Sequence, residues 1–271
     1  MVQYLWLVPL GVLIGAYGTL IGAGGGFLLV PLLIIFYPDA RPETITSVSL
    51  AVVFFNALSG SYAYARMKRI DYKSGLLFSS TAVPGAVLGA YATAYLPRRV
   101  FDLTFALLLV AVSIFLLLYP RAKFAPRGAK PPGHLRRRIV DGDQTPFEYS
   151  FSPLVGLSLS FAVGFLSSLL GTGGGIIHVP AMAGLLNFPV HVATATSHFV
   201  LAITALAGTL VHVFSGSFTE GIRRTICLAI GVLAGAQFGA RVSTRIHGDW
   251  IIRALALALG LVAVRILVVS L

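Results

Sequence analysis

Acidic residues are scarce in this chain. Nine Asp and Glu stand against twenty Lys and Arg among 271 residues, and charged residues make up only 11% of the sequence. With 57% hydrophobic residues and a mean hydropathy of +0.89, the chain has too little polar surface for a soluble globular protein. The composition therefore predicts an integral membrane protein.

Cysteine and buried carboxylates are also rare. The single cysteine, Cys227, excludes an intramolecular disulfide. A membrane enzyme that used His178, His191 and His198 as metal ligands is disfavoured, because their spacing is irregular and no carboxylate lies deep in a hydrophobic segment. We therefore expect no enzyme activity, no cofactor and no metal. The net charge of +11 comes from basic residues beside apolar segments, which is typical of membrane proteins and not of nucleic-acid binding.

Hydrophobic segments account for most of the chain. They cover about 4–36, 45–65, 74–96, 100–119, 150–187, 192–214, 225–243 and 250–271. The segments 4–36 and 150–187 are too long for one straight crossing, since thirty-odd residues at about 1.5 Å each exceed a hydrocarbon core of about 30 Å. Both are interrupted by glycines, and we expect each to bend back or break there.

The glycine-rich interruptions are near copies of each other. The stretch 20–31, LIGAGGGFLLVP, returns at 169–180 as LLGTGGGIIHVP. Glycine-rich backbone in apolar sequence breaks a helix and leaves bare N–H groups at the start of the next helix. Because such N–H groups attract anions, both stretches are candidate anion-binding motifs.

The repeat extends beyond the glycines. Positions 46, 49, 53, 56 and 60 match 194, 197, 201, 204 and 208, and each set lies on one helical face. The small-residue segments 85–90 and 235–240 also match and favour close helix packing. The chain therefore consists of an N-terminal transmembrane repeat at 1–119, a basic linker at 120–149 and a C-terminal transmembrane repeat at 150–271. We interpret the linker as a solvated, partly disordered loop.

The predicted fold is an all-α polytopic membrane protein with two homologous halves. Each half has a glycine-broken, re-entrant helix pair and three transmembrane helices, which gives inverted halves; a parallel repeat is the alternative if the broken helices cross the membrane. Both arrangements place thirteen basic residues on the linker side against five opposite, so the linker is expected to be cytoplasmic. Helix lengths favour the inverted arrangement, with the two glycine tips meeting near mid-membrane.

The motifs resemble those of a known family. The paired Gly-x-Gly-Gly-Gly motifs, the Thr-x-x-Ser elements at 46–49 and 194–197, the segment 235–240 and the basic central loop are similar to the TauE/SafE family of sulfite and organosulfonate exporters. The resemblance covers both halves and leaves out the linker. It implies export of a small sulfur-containing anion, such as sulfite, sulfoacetate or a related sulfonate, across a bacterial inner (cell) membrane.

The residues themselves point to anion binding as well. Backbone N–H groups, helix dipoles and hydroxyls suit a sulfonate, and an ionisable group inside a span, here His198, is a functional candidate. We regard Arg241 either as a residue that gathers anions at one mouth or as one that extends to the interface. The predicted substrate-binding residues are Gly22, Gly24, Gly25, Gly26, Ser49, Asn56, Gly171, Thr172, Gly173, Gly174, Gly175, Thr194, Ser197, His198 and Arg241.

Three functional classes follow from these patterns. A secondary transporter for a small sulfur anion is favoured, an anion channel or an exporter of another small anion is the alternative, and a membrane enzyme is disfavoured. The expected partners are the anion and the lipid bilayer. The identity of the anion, the coupling ion and the oligomeric state stay open.

Overall fold

The computed structural model describes residues 4–118, 134–142, 144–218 and 221–243, together with 260, 263, 264 and 266. The predicted apolar segment 250–271 lies mostly outside these residues. The described part contains, in chain order, α1 (Leu7–Ile21), α2 (Gly26–Phe36), α3 (Pro42–Arg66), α4 (Tyr72–Thr93), α5 (Arg98–Leu118), β1 (Leu135–Val140), β2 (Pro146–Phe151), α6 (Pro153–Leu170), α7 (Gly175–Leu185), α8 (Val190–Phe214) and α9 (Ile222–Val242).

The long helices are hydrophobic enough to cross a bilayer. Within the described residues, five helices meet the length and hydropathy expected of a membrane span, namely α3, α4, α6, α8 and α9. The helices α1, α2 and α7 are apolar but shorter, with 15, 11 and 11 residues. This confirms the prediction of a largely helical, polytopic membrane protein.

The chain doubles back at each glycine motif. Helix α1 ends at Ile21 and α2 begins at Gly26, and the rings of Trp6 and Phe36 at the far ends of the two helices lie 5.4 Å apart. Phe151 and Phe188, which flank α6 and α7, are 5.2 Å apart. Each pair of helices thus starts and finishes at the same end of the molecule.

Helices from the two halves of the chain pack against each other. The main pairs are α1 with α9 and α4 with α6, and small residues line both contacts. A Cβ on Gly89 would lie 3.0 Å from the backbone nitrogen of Leu169, and one on Gly235 would lie 2.9 Å from that of Ala16. The matched small-residue segments therefore bring the helix backbones close together, as predicted.

The end of the linker is folded, which corrects the all-α prediction and the interpretation as a loop. Strands β1 and β2 form an antiparallel hairpin in which Arg138 pairs with Glu148. Tyr149 and Phe151 are buried against Phe188, and Asp141 caps the turn by accepting a hydrogen bond from the backbone of Thr145 at 2.9 Å. The hairpin forms because aromatic residues at alternate positions of β2 face the protein, where they offset the exposed arginines of β1.

A buried carboxylate attaches the hairpin to the helices. Asp71 caps α4 by accepting hydrogen bonds from the backbone and hydroxyl of Ser74 at 3.2 and 2.5 Å. It also accepts from the Tyr149 hydroxyl at 2.7 Å and pairs with the Arg137 guanidinium. Its own N–H donates to Thr196 Oγ1 at 3.0 Å, so the network extends to α8.

The Asp71 network is sensitive to acid. Burial alone would raise the pKa of Asp71, but hydrogen bonds from Arg137, Ser74 and Tyr149 outweigh burial and lower it to about 2 from an ordinary value of 3.8. Because the folded pKa is the lower one, the network stabilises the fold fully above pH 3.8, and this contribution is lost as the pH falls towards 2.

Removal of one arginine from β1 tests the network. We expect Arg137→Ala to lower the free energy of unfolding by about 3 kcal/mol, because it leaves the buried Asp71 carboxylate without its cation. The neighbouring Arg138→Ala is the control, since Arg138 and Glu148 are each 70% exposed and their pairing contributes little. The measurement is the melting temperature of the detergent-solubilised protein. Equal shifts in the two variants would contradict this account.

Candidate functional site

The glycine motifs adopt the same backbone conformation. Three glycines in each motif have a positive φ between 63° and 83°, a region that side chains disfavour. These are Gly22, Gly24 and Gly25 in the first motif and Gly171, Gly173 and Gly174 in the second. The turns between α1 and α2 and between α6 and α7 therefore need glycine for their geometry alone.

The fourth glycine of each motif serves a different purpose, because its φ is ordinary. A Cβ on Gly26 would lie 2.6 Å from the carbonyl oxygens of both Gly171 and Thr172. A Cβ on Gly175 would meet the carbonyl oxygen of Gly22 and would lie 2.7 Å from the Cα of Ala23. The two motifs are thus in direct backbone contact, as the sequence predicts.

Some of the backbone N–H groups that were predicted to bind the anion instead donate hydrogen bonds within the turns. The N–H groups of Ala23 and Gly24 both donate to the carbonyl oxygen of Gly18, at 2.8 and 3.2 Å. The Gly175 N–H donates to the carbonyl of Gly173 at 2.7 Å. Gly24 and Gly175 therefore contribute conformation and close contact here, and their N–H groups face the protein.

Protein atoms also occupy the space beside Gly25 and Gly174. A Cβ on Gly25 would lie 2.7 Å from Cγ2 of Ile14, and one on Gly174 would lie 2.9 Å from Cγ1 of Val163. A side chain at either position would therefore collide with α1 or α6.

Hydroxyl groups surround the paired motifs. Ser49 donates to the carbonyl oxygen of Gly171 at 2.6 Å, and a Cβ on Gly22 would lie 2.7 Å from Cγ2 of Thr194. The hydroxyls of Thr172 and Ser197 are buried and have no hydrogen-bond partner among the described residues. The two Thr-x-x-Ser elements therefore contact the motif of the opposite half, and two hydroxyls there are free to bind.

Two nitrogen-bearing side chains share this unsatisfied state. His198 is fully buried beside the Gly22 backbone, and neither ring nitrogen has a hydrogen-bond partner within 3.5 Å in the described part of the chain. Asn56 is also fully buried, and its Nδ2 has no partner there. Buried polar atoms without partners are rare in folded proteins, and a ligand or water is the usual explanation.

A small cavity lies beside the second motif. Gly173, Gly174, Gly175, Ser160, His178 and Ser197 are among its lining residues. The cavity volume of about 10 Å³ leaves room for about one water. An oxyanion needs more space, so this conformation is closed.

The remaining polar side chains to be placed are an arginine, two histidines and a threonine. Arg241 is exposed and lies in the last turn of α9. His178 and His212 have polar neighbours, Ser160 Oγ at 3.3 Å and Thr46 Oγ1 at 3.4 Å. Thr19, which donates a hydrogen bond to Asn56 Oδ1 at 3.0 Å, was not predicted as a site residue. The signal for it was a hydroxyl three residues before each motif, since Ser168 occupies the matching position.

Comparisons with known proteins agree with one another. The family model described as Sulfite exporter TauE/SafE matches residues 7–266. The probable membrane transporter protein YunE of Bacillus subtilis (strain 168) is 35% identical over 90% of this chain and 89% of its own length. The probable membrane transporter protein MJ0441 of Methanocaldococcus jannaschii is 25% identical over the same shares of the two chains. No solved structure matches the chain significantly.

Alanine at Gly26 tests the contact between the motifs without backbone strain. We expect Gly26→Ala to destabilise the protein by about 1–3 kcal/mol, because its Cβ has to push the second motif away. Gly142→Ala is the matched control, since its Cβ would lie 3.3 Å from the nearest atom, the carbonyl oxygen of Met67. The melting temperatures of the purified variants give the comparison. If both variants melt like the unsubstituted protein, the motifs do not touch as described.

Proposed function

Because the chain belongs to the sulfite exporter TauE/SafE family, we propose that it is a secondary transporter that exports a small sulfur-containing anion across the inner membrane. Sulfite, sulfoacetate and related organosulfonates are the proposed substrates. The family match extends over nearly the whole chain, and the curated relatives are named as probable membrane transporters. These findings agree with a protein that is not an enzyme.

We place the substrate beside the contact between the two glycine motifs. The observation that carries this proposal is a group of buried polar atoms around the motifs that have no hydrogen-bond partner among the described residues, namely Asn56 Nδ2, Ser168 Oγ, Thr172 Oγ1, Ser197 Oγ and both ring nitrogens of His198. Leaving a buried donor unsatisfied costs about 1–3 kcal/mol, so several in one place favour a missing ligand. A sulfonate has three acceptor oxygens and suits such a site.

We infer the arrangement of the halves from the reversal of the chain at each motif. If α1–α2 and α6–α7 are re-entrant pairs and the apolar segment 250–271 predicted from the sequence crosses the membrane, each half has three crossings and the repeats are inverted. The basic loops after α3 and α9 then share the side of the linker, which we assign to the cytoplasm. The first pair enters from outside and the second from the cytoplasm, and their tips meet at the substrate site.

The closed conformation favours a carrier over a channel. A cavity of about 10 Å³ admits one water, so the substrate enters only if the helix pairs separate on one side or the other. We propose that movement of the halves about the glycine contact alternately exposes the site to the two sides. An open anion channel is the alternative function, and it would require a continuous pore.

Export needs no coupling ion in this proposal. The sequence has no Asp or Glu deep inside an apolar segment, where coupled transporters commonly bind a proton or sodium. An anion that leaves a cell with a negative interior gains about 2.3 kcal/mol per charge for each 100 mV. The membrane potential alone then drives export of the anion against its concentration gradient.

Transport of radioactive sulfite and sulfoacetate into proteoliposomes tests the function, with the potential clamped by potassium and valinomycin. We expect saturable flux that follows the potential at equal pH and sodium. His198→Ala should reduce the flux at least tenfold, because it removes a donor at the site. His212→Ala is the comparison, since the His212 ring already has a polar partner, Thr46 Oγ1 at 3.4 Å.

Three results would contradict the proposal. Equal, small effects of the two histidine variants would remove His198 from the site. Flux that ignores the potential but follows a proton gradient would require a coupled mechanism. Large single-channel currents would support the channel instead.

A further inference from the structure

A hydroxyl in the last turns of α1 holds the Asn56 side chain in one orientation. Thr19 Oγ1 donates to Asn56 Oδ1 at 3.0 Å, across 37 residues of sequence. The Tyr64 hydroxyl donates to the Thr19 backbone carbonyl at 2.8 Å and so attaches α3 to the same turn. Thr19 and Asn56 are fully buried, and Tyr64 is 2% exposed.

This hydrogen bond decides which end of the amide is free. An asparagine side chain offers an acceptor oxygen on one side and an NH₂ group with two donors on the other. Because the Thr19 hydroxyl takes the oxygen, the NH₂ group faces away, and it has no partner among the described residues. Asn56 therefore presents donors only.

Asn56 and the His198 ring lie along the same face of α3, because residues four apart in a helix share a face. Gly60 follows Asn56 by one helical turn on α3, and a Cβ there would lie 2.6 Å from His198 Cδ2 and 3.0 Å from Thr19 Cγ2. The rings of Tyr64 and His198 meet edge to face at 5.6 Å. The amide and the imidazole thus belong to one buried group between α1, α3 and α8.

The matching positions of the other half lack this chemistry. Thr204 replaces Asn56, and its hydroxyl donates to the backbone carbonyl of Val200 at 3.1 Å. A Cβ on Gly208, the counterpart of Gly60, would lie 3.0 Å from Cδ1 of Leu50, which stands where the other half has His198. Asn56 and His198 therefore have no nitrogen-bearing counterparts at the matching positions of the other half.

We propose that Asn56 and His198 form an oxyanion subsite and that Thr19 is the positioning residue that keeps the Asn56 NH₂ group directed at the anion. The subsite selects ligands whose oxygens accept hydrogen bonds, such as a sulfite or sulfonate group, over ligands that present only donors, such as an ammonium group. This inference rests on the proposed function and adds the asymmetry of the site and the role of Thr19.

The test measures sulfite binding to the purified full-length protein by calorimetry. Thr19→Val keeps the shape of the side chain but frees the amide to turn, and we expect it to weaken binding about tenfold, the equivalent of one hydrogen bond. Thr19→Ser retains the hydroxyl and should bind like the unsubstituted protein. Thr93→Val is the control, because Thr93 is equally buried but donates only to the backbone carbonyls of Gly89 and Leu169.

A double-mutant cycle separates positioning from a general structural effect. If Thr19 acts through the amide, Thr19→Val should have no further effect on affinity in the Asn56→Ala background. Additive losses, or equal affinities of Thr19→Val and Thr19→Ser, would overturn the role of Thr19 while leaving the proposed transport intact. Absence of sulfite and sulfoacetate binding to the unsubstituted protein would instead count against the proposed function itself.

Discussion

The contact between the two glycine turns is the constraint on which the rest of the structure depends. Gly26 and Gly175 touch the backbone of the opposite turn, so neither position has room for even a methyl group. Val53 and Leu201, at matching positions of α3 and α8, pack against the turns, where a Cβ on Gly173 would lie 2.8 Å from Val53 and one on Gly24 would meet Leu201. The long helices are therefore held around a contact made almost entirely of main chain.

The contact between the glycine turns places helix ends and polar side chains in the interior of an apolar protein. Four helices end or begin at the turns, and side-chain donors with no partner among the described residues surround them. Each such donor destabilises the fold by about 1–3 kcal/mol when nothing binds it, which is a large fraction of the stability of an ordinary domain. An anion that binds beside the turns during transport would accept hydrogen bonds from these donors and remove this cost.

Much of this arrangement was predictable from residues close together in sequence. Glycines at 22–26 and 171–175 break the helices because the turns need positive φ, and small residues at intervals of four allow close packing. The hairpin was not predicted, because a run of arginines such as that of β1 is typical of a solvated loop. The packing comes from the alternating aromatic residues of β2. The role of Thr19 was hidden because its partner, Asn56, lies on another helix.

The position of Arg241 shows a further limit of reasoning from sequence. Its place near the end of an apolar run is compatible with a substrate path and with an interfacial residue, and the two differ only in the direction the helix end faces. In the structure the residue is exposed at the end of α9, which is compatible with both roles. Substrate contacts depend on which helix ends meet, and a repeat pattern alone does not fix that for a single residue.

Locating the anion itself tests the central claim most directly. Selenite resembles sulfite and scatters anomalously, so a crystal structure of the protein with selenite gives the position of the bound anion without interpretation of weak density. The account predicts one strong anomalous peak at the glycine turns, within hydrogen-bond distance of Ser197 or His198. A peak confined to the basic surface of the linker or to the end of α9, with none at the turns, would contradict it.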